Sequence, residues 1–151
     1  MSQPISFHSL VDGFSIKGKK SLRSWLERVI SAHHFVPGEI SIIYCSDNYL
    51  AEMNQDYLQH DTFTDIITFN YNVGSQVSGD IFISIDRVAE NAASFGATLE
   101  NELCRVMVHG VLHLLGYGDK TPDEEHAMRS AEDHFLSWLE EKPRVSRETS
   151  A

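Results

Sequence analysis

Between Arg28 and Arg87 this chain has no lysine or arginine at all, while the same stretch carries Glu39, Asp47, Glu52, Asp56, Asp61, Asp65, Asp80 and Asp86. Cations are scarce overall: 12 Lys and Arg face 22 Asp and Glu, a net charge of −10. That balance weighs against a nucleic-acid role, because affinity for phosphates comes largely from lysine and arginine. The one basic concentration is Lys17, Lys19, Lys20, Arg23 and Arg28. It reads more readily as the solvated start and face of a helix than as a phosphate track. Long apolar runs are also missing. Nothing reaches the roughly eighteen residues of a membrane span, so no membrane partner is expected. The N-terminal MSQPISFHSLVDG has neither the basic region nor the apolar core of a signal peptide. Cysteine is rare too. Cys45 and Cys104 lack CxxC spacing and sit in apolar surroundings. They read as reduced core residues, which excludes a disulfide scaffold and leads us to expect a cytoplasmic protein.

What is present is ordinary for a globular chain: 42% hydrophobic and 23% charged residues over 151 positions. We expect a single domain over residues 1–151, hydrolase-like and metal-dependent on the reading below, with a frayed tail at 143–151. Ile5 to Leu10 alternates loosely as a short strand, followed by a glycine-containing turn. Leu22, Trp25, Leu26, Val29 and Ile30 recur at helical spacing. EISIIYC (39–45) is a compact strand, and SDNYLAEMNQDYL (46–58) is a helix with Ser46 or Asp47 at its cap. DIITFNYN (65–72) and DIFISIDRV (80–88) form a hairpin across the loop NVGSQVSG. A helix ends at Gly96, another starts at Thr98 and stops at Gly116, and a third is capped by Thr121 with Pro122 in its first turn. The fold class is α/β, more closely α+β. We expect a small mixed sheet of about four strands packed with about five helices, the functional site lying at the end of a central helix.

That site is read from VHGVLHLLGYGDK (108–120). His109 and His113 are one helical turn apart, so both rings lie on one face. A third ligand cannot come from the next turn without wrapping round the axis. Gly116 lets the chain leave the helix, and Asp119 falls where a returning loop would present it. Two nitrogens, one carboxylate and an open position suit a catalytic zinc ion, one per chain, or a related divalent metal. The alternative is a core histidine followed by an ordinary helix C-cap. The residue after the first histidine is Gly110, not the glutamate of HExxH metallopeptidases, so the usual general base is missing from the helix.

HGVLHLLGY, preceded by NELCRVMV, resembles the signature of the YbeY family of bacterial rRNA maturation factors. MNQDYLQHDTFTDIITF and GDIFIS resemble the family's upstream segments, so the likeness spans about Ile40 to Trp138. It implies a hydrolase: a metal-dependent, single-strand-specific endoribonuclease (a nuclease and endonuclease). It would act in rRNA processing, ribosome biogenesis and ribosome quality control. The implied partners are a single-stranded rRNA precursor, the small ribosomal subunit and ribosomal proteins. Two positions depart from the pattern. The family ends this motif GYDH with histidine as third ligand, where this chain has Gly118 and Asp119; a carboxylate there makes a harder site. The family commonly places a substrate-contacting arginine where this chain has Leu58, which can neither pair with phosphate nor stabilise its charge. Substrate-binding residues are therefore open. An alternative is a ribosome-assembly binding factor with a structural metal and little or no nuclease activity.

Asp65 and Thr68 are candidates for supporting or substrate contacts, against readings as a turn aspartate and a strand threonine. His60 beside Asp61 reads as a solvated loop residue more readily than as a base. His126 and His134 are expected to face solvent. His33 and His34 are expected to complement the C-terminal dipole of their helix. Glu102, seven residues before His109, shares its helix face. Tyr117 is expected to pack at the helix end.

Overall fold

The computed structural model describes residues 4–58 and 64–147. The elements run β1 (Ile5–Ser9), β2 (Phe14–Lys17), α1 (Lys19–Ala32), β3 (Val36–Cys45), α2 (Asp47–Leu58), β4 (Ile66–Asn70), β5 (Gln76–Ser84), α3 (Ile85–Phe95), α4 (Leu99–Leu114), α5 (Pro122–Leu136) and β6 (Arg144–Arg147). Four strands form a mixed sheet in the order β1-β3-β5-β4. β1 and β5 flank β3 in parallel, and β4 returns antiparallel to β5. β4 is thus an edge strand, the first point that matters for the site.

The core lies between this sheet and helices α1 and α4. Leu22, Trp25, Leu26, Val29 and Ile30 make the buried stripe of α1, as their spacing predicts. α4 is buried along most of its length, as expected of a central helix, and Asn101, Arg105, His109 and His113 recur every four residues as its half-buried polar stripe. Gly110 lets it lie close against the sheet. A Cβ there would stand 2.8 Å from Ile81 Cγ2 and 2.9 Å from Ile66 Cδ1. Cys45 and Cys104 are buried and unpaired. Among the described residues no helix is long and apolar enough to cross a membrane.

Several boundaries differ from expectation: β3 starts at Val36 rather than Glu39, and β5 ends at Ser84 rather than Val88, where α3 takes over. β5 starts at Gln76, not Asp80, because Val77 is fully buried and pairs with Pro37 in β3. The GSQ turn signal masked that inward position. Phe14–Lys17 is a strand rather than part of a turn, with Phe14 and Ile16 buried. Its partner is β6, so Arg144–Arg147 is paired strand and not frayed tail. Short strands that meet across nearly the whole chain leave little local signal, and tertiary pairing decides their state.

Candidate metal centre

The centre is built at the C-terminal end of α4. Thr98 caps the helix by accepting a hydrogen bond from the Asn101 N–H. Sixteen residues later the chain leaves through a Schellman turn: Tyr117 N–H donates to Leu112 C=O and Gly116 N–H to His113 C=O, each at 3.0 Å. Gly116 has φ +105°, a left-handed conformation that strains any residue with a Cβ. The loop then runs into α5, where Thr121 and Glu124 form a capping box and Pro122 opens the helix. The Glu124 side chain folds back over Gly118, where a Cβ would collide with its carboxylate. An aspartate at 118, as in GYDH, does not fit this turn without moving Glu124. The loop presents Asp119 to the two imidazoles.

The His109 and His113 rings stand edge to face with centroids 4.5 Å apart. Asp119 Oδ2 lies 3.2 Å from His113 Nε2 and 3.6 Å from His109 Nε2. One donor atom from each of the three residues lies within 4.8 Å of the other two. Bonds of about 2 Å round a tetrahedral zinc ion place its ligand atoms roughly 3.3 Å apart, so the donor set fits a divalent metal.

Each ring is oriented through its other nitrogen. His113 Nδ1 lies 3.0 Å from the Tyr117 carbonyl oxygen and must donate to it, leaving Nε2 as the free lone pair. His109 Nδ1 lies 2.6 Å from Glu132 Oε2. Glu132 is only 5% exposed, and its other oxygen accepts from Arg105 Nη1 at 2.9 Å. Arg105 is held in turn by Asp133 at 2.7 Å. Burial works against protonation of His109. The hydrogen bond and charge of Glu132, helped by Asp65 and Asp119, outweigh it and raise the pKa. Burial also pushes the Glu132 pKa up, but its bonds from His109 and Arg105 prevail and hold it below the usual carboxylate range.

The three residues open onto a cleft of about 740 Å³ that runs along the β4 edge. Asp65, Thr68 and Lys120 line it, as does Asn54 from α2. Lys120 is the one lysine or arginine lining it among the described residues. Burial raises the Asp65 pKa, opposed by nearby His109 and reinforced by the charges of Glu132 and Asp119.

A family profile described as Endoribonuclease YbeY matches residues 12–140. The chain belongs to that family. "Endoribonuclease YbeY" of Flavobacterium psychrophilum is 49% identical over 138 residues, covering 91% of this chain and 98% of the relative. The protein of the same description from Bacteroides thetaiotaomicron is 46% identical over 119 residues, covering 79% and 87%. Among solved structures, the solution structure of TM1509 from Thermotoga maritima is similar with TM-score 0.63 and 27% identity, covering 89% of this chain and 88% of that one. The resemblance read from HGVLHLLGY therefore holds over most of the chain.

In this YbeY-family chain the remaining candidates fall into place unevenly. Asp65 and Thr68 share the cleft with the three clustered residues. His126 and His134 are exposed, as expected. His60 and Asp61 lie outside the described residues, and so does the side chain of Leu58, which closes α2. Glu102 is buried, but the His109 Nδ1 goes to Glu132 instead. Burial raises the Glu102 pKa, Arg105 opposes this, and the charges of Asp65 and Glu132 add to it. His33 does more than cap a helix. Its Nδ1 lies 2.7 Å from Val29 C=O, and its Nε2 accepts the Tyr117 hydroxyl at 2.9 Å. Tyr117 thus ties the bend behind His113 to the end of α1. Sequence reasoning missed Glu132, Arg105 and Lys120. For Glu132 a signal existed: Met128, Glu132 and Phe135 recur at helical spacing and are all buried, so a carboxylate interrupts an apolar stripe.

Proposed function

We propose that this protein is a metal-dependent, single-strand-specific endoribonuclease that acts in rRNA maturation and ribosome quality control in the cytoplasm. The convergence of two oriented Nε2 atoms and one carboxylate on the wall of an open cleft carries this reading. His109, His113 and Asp119 would hold one zinc ion. When bound, that ion supplies Lewis acidity to a phosphodiester oxygen.

The rest is done by the chain itself. Glu132 and the Tyr117 carbonyl hold the Nδ1 protons, so both imidazoles keep the tautomer that binds metal. Asp65 lines the cleft with the three clustered residues and would take the proton from the attacking hydroxyl, the role that HExxH enzymes give to glutamate. Thr68 offers a polar contact to the strand, and Lys120 offers charge to a phosphate. Precursor rRNA, the small ribosomal subunit and ribosomal proteins are the partners we assign by family likeness.

The test uses protein stripped of metal and then reloaded with zinc, incubated with single- and double-stranded RNA beside Asp119→Ala. Zinc-restored cleavage of the single strand, lost in the variant, is the expected result. Equal cleavage by both proteins would mean a contaminating nuclease. A 2′-deoxy substitution at the cut distinguishes attack by water from attack by the 2′-hydroxyl. A second reading, a ribosome-assembly factor with a structural metal, is favoured by the lone lysine in the cleft and the net charge of −10. It predicts no cleavage by either protein, with Asp119→Ala less stable and metal-free.

A further inference from the structure

The pairing of β2 with β6 brings together cations that the sequence keeps far apart. Lys17 and Arg144 are cross-strand partners. Gly18 packs on Pro143, with its Cβ position 3.4 Å from the proline Cα. Lys19 and Lys20 open α1 across Gly18 from β2, and Lys142 stands across Pro143 from β6. All five of these side chains are exposed, and none makes an ion pair among the described residues. Glu141, which Ser21 binds at 3.1 Å, is a carboxylate at this corner, and it too is outside any ion pair with them.

Within the protein alone this placement is unfavourable. Like charges directly opposite on a strand pair repel. Lys19 and Lys20 stand in the first turn of α1, where the helix dipole disfavours cations and the turn itself carries no acidic residue; Glu140 and Glu141 line a hollow with Lys20 but form no ion pair with it. A chain with 22 acidic residues that leaves five of its 12 lysines and arginines together here, unpaired, has a surface shaped for an anionic polymer. The location adds a second point. α1 runs from this corner for fourteen residues, about 21 Å at the helical rise. Its far end meets Tyr117 through His33, beside the metal centre. The corner and the cleft therefore sit at opposite ends of one helix.

We infer that Lys17, Lys19, Lys20, Lys142 and Arg144 form a second RNA contact, which grips the sugar–phosphate backbone of the substrate away from the cut. This rests on the proposed function for the identity of the polymer. A strand reaching only a few nucleotides beyond the cut cannot touch both sites. The corner selects for long or structured RNA, and the weakly basic cleft handles the bond to be broken.

The experiment measures binding of an rRNA fragment and of a short single-stranded oligonucleotide to metal-free protein over a range of salt. It compares wild type with Lys19→Gln/Lys20→Gln, which relieves the helix start and keeps the fold, and with Lys17→Gln/Arg144→Gln. For each double variant the log–log salt slope on long RNA should fall by about 1.4, at roughly 0.7 per lost cation. Affinity for long RNA should fall about tenfold at moderate salt. Binding and zinc-dependent cleavage of the short oligonucleotide should not change. An unchanged slope and affinity on long RNA overturns the inference, as does an equal loss on both RNAs. Unchanged RNA binding with lost binding of poly-glutamate also overturns it and assigns the corner to an acidic protein segment. Salt-sensitive binding by wild type without any cleavage would instead sink the nuclease reading and leave the contact standing.

Discussion

Replacing Glu132 by glutamine tests how the metal centre is held. Glu132 is 5% exposed and bonds two groups at once, His109 Nδ1 at 2.6 Å and Arg105 Nη1 at 2.9 Å. Both are donors, so both need an acceptor. Glutamine keeps the volume, but its one oxygen serves a single partner and its NH2 meets the other donor head-on. The ring of His109 then loses either its orientation or its preferred tautomer. Loss of such an outer partner costs about 10–100-fold in metal affinity. That range is about 1.4–2.7 kcal/mol. The fold should survive, because Arg105 keeps its 2.7 Å bond to Asp133; we expect a stability loss of about 1–3 kcal/mol. The assay is a zinc titration against a competing chelator, with thermal unfolding of the metal-free proteins run in parallel. Zinc affinity within twofold of wild type in a folded Glu132→Gln protein would refute the reasoning, since His109 would then need no partner on Nδ1.

Other outcomes follow from single residues. Gly116→Ala forces a Cβ into φ +105°, and metal-free protein should lose about 1–2 kcal/mol in denaturant unfolding, with zinc affinity reduced as the Asp119 loop shifts. Glu102→Gln should alter the pH profile of stability. The folded-state pKa of this buried acid is raised, so the native chain binds its proton more tightly than the unfolded chain does. Stability is then lost as pH rises from the ordinary glutamate range through the raised value. Glu102→Gln should therefore melt above wild type at neutral pH, and the gap should close below the ordinary range. A variant that melts below wild type at neutral pH would show that the ionised carboxylate stabilises the fold.

Much of this architecture is legible in the chain where the signals are local. The α1 stripe, the Thr98 and Thr121 caps, the Gly96 and Gly116 helix ends and the β4–β5 hairpin all depend on neighbours in sequence. The same holds for His109, His113 and Asp119, which one helical turn and one Schellman bend bring together. What could not be read depends on distant partners. β2 and β6 are four residues each and define one another. Arg105 and Glu132 come from different helices, and nothing in the spacing of the α5 carboxylates says that Glu132 faces an imidazole. Val77 was hidden by turn residues on either side, though its burial follows from the alternation Val77, Gly79, Ile81, Ile83. His33 looked like a helix end, and only the approach of Tyr117 makes it a strut behind the site.

The central claim is that two imidazoles and one carboxylate form a single divalent-metal site, and calorimetric zinc titration of metal-stripped wild type and Asp119→Ala addresses it directly. The account predicts one tightly bound ion per chain in the wild type, and a loss of at least about 100-fold in affinity in a variant that stays folded. Zinc binding of equal strength in both proteins, or none in the wild type, would contradict it.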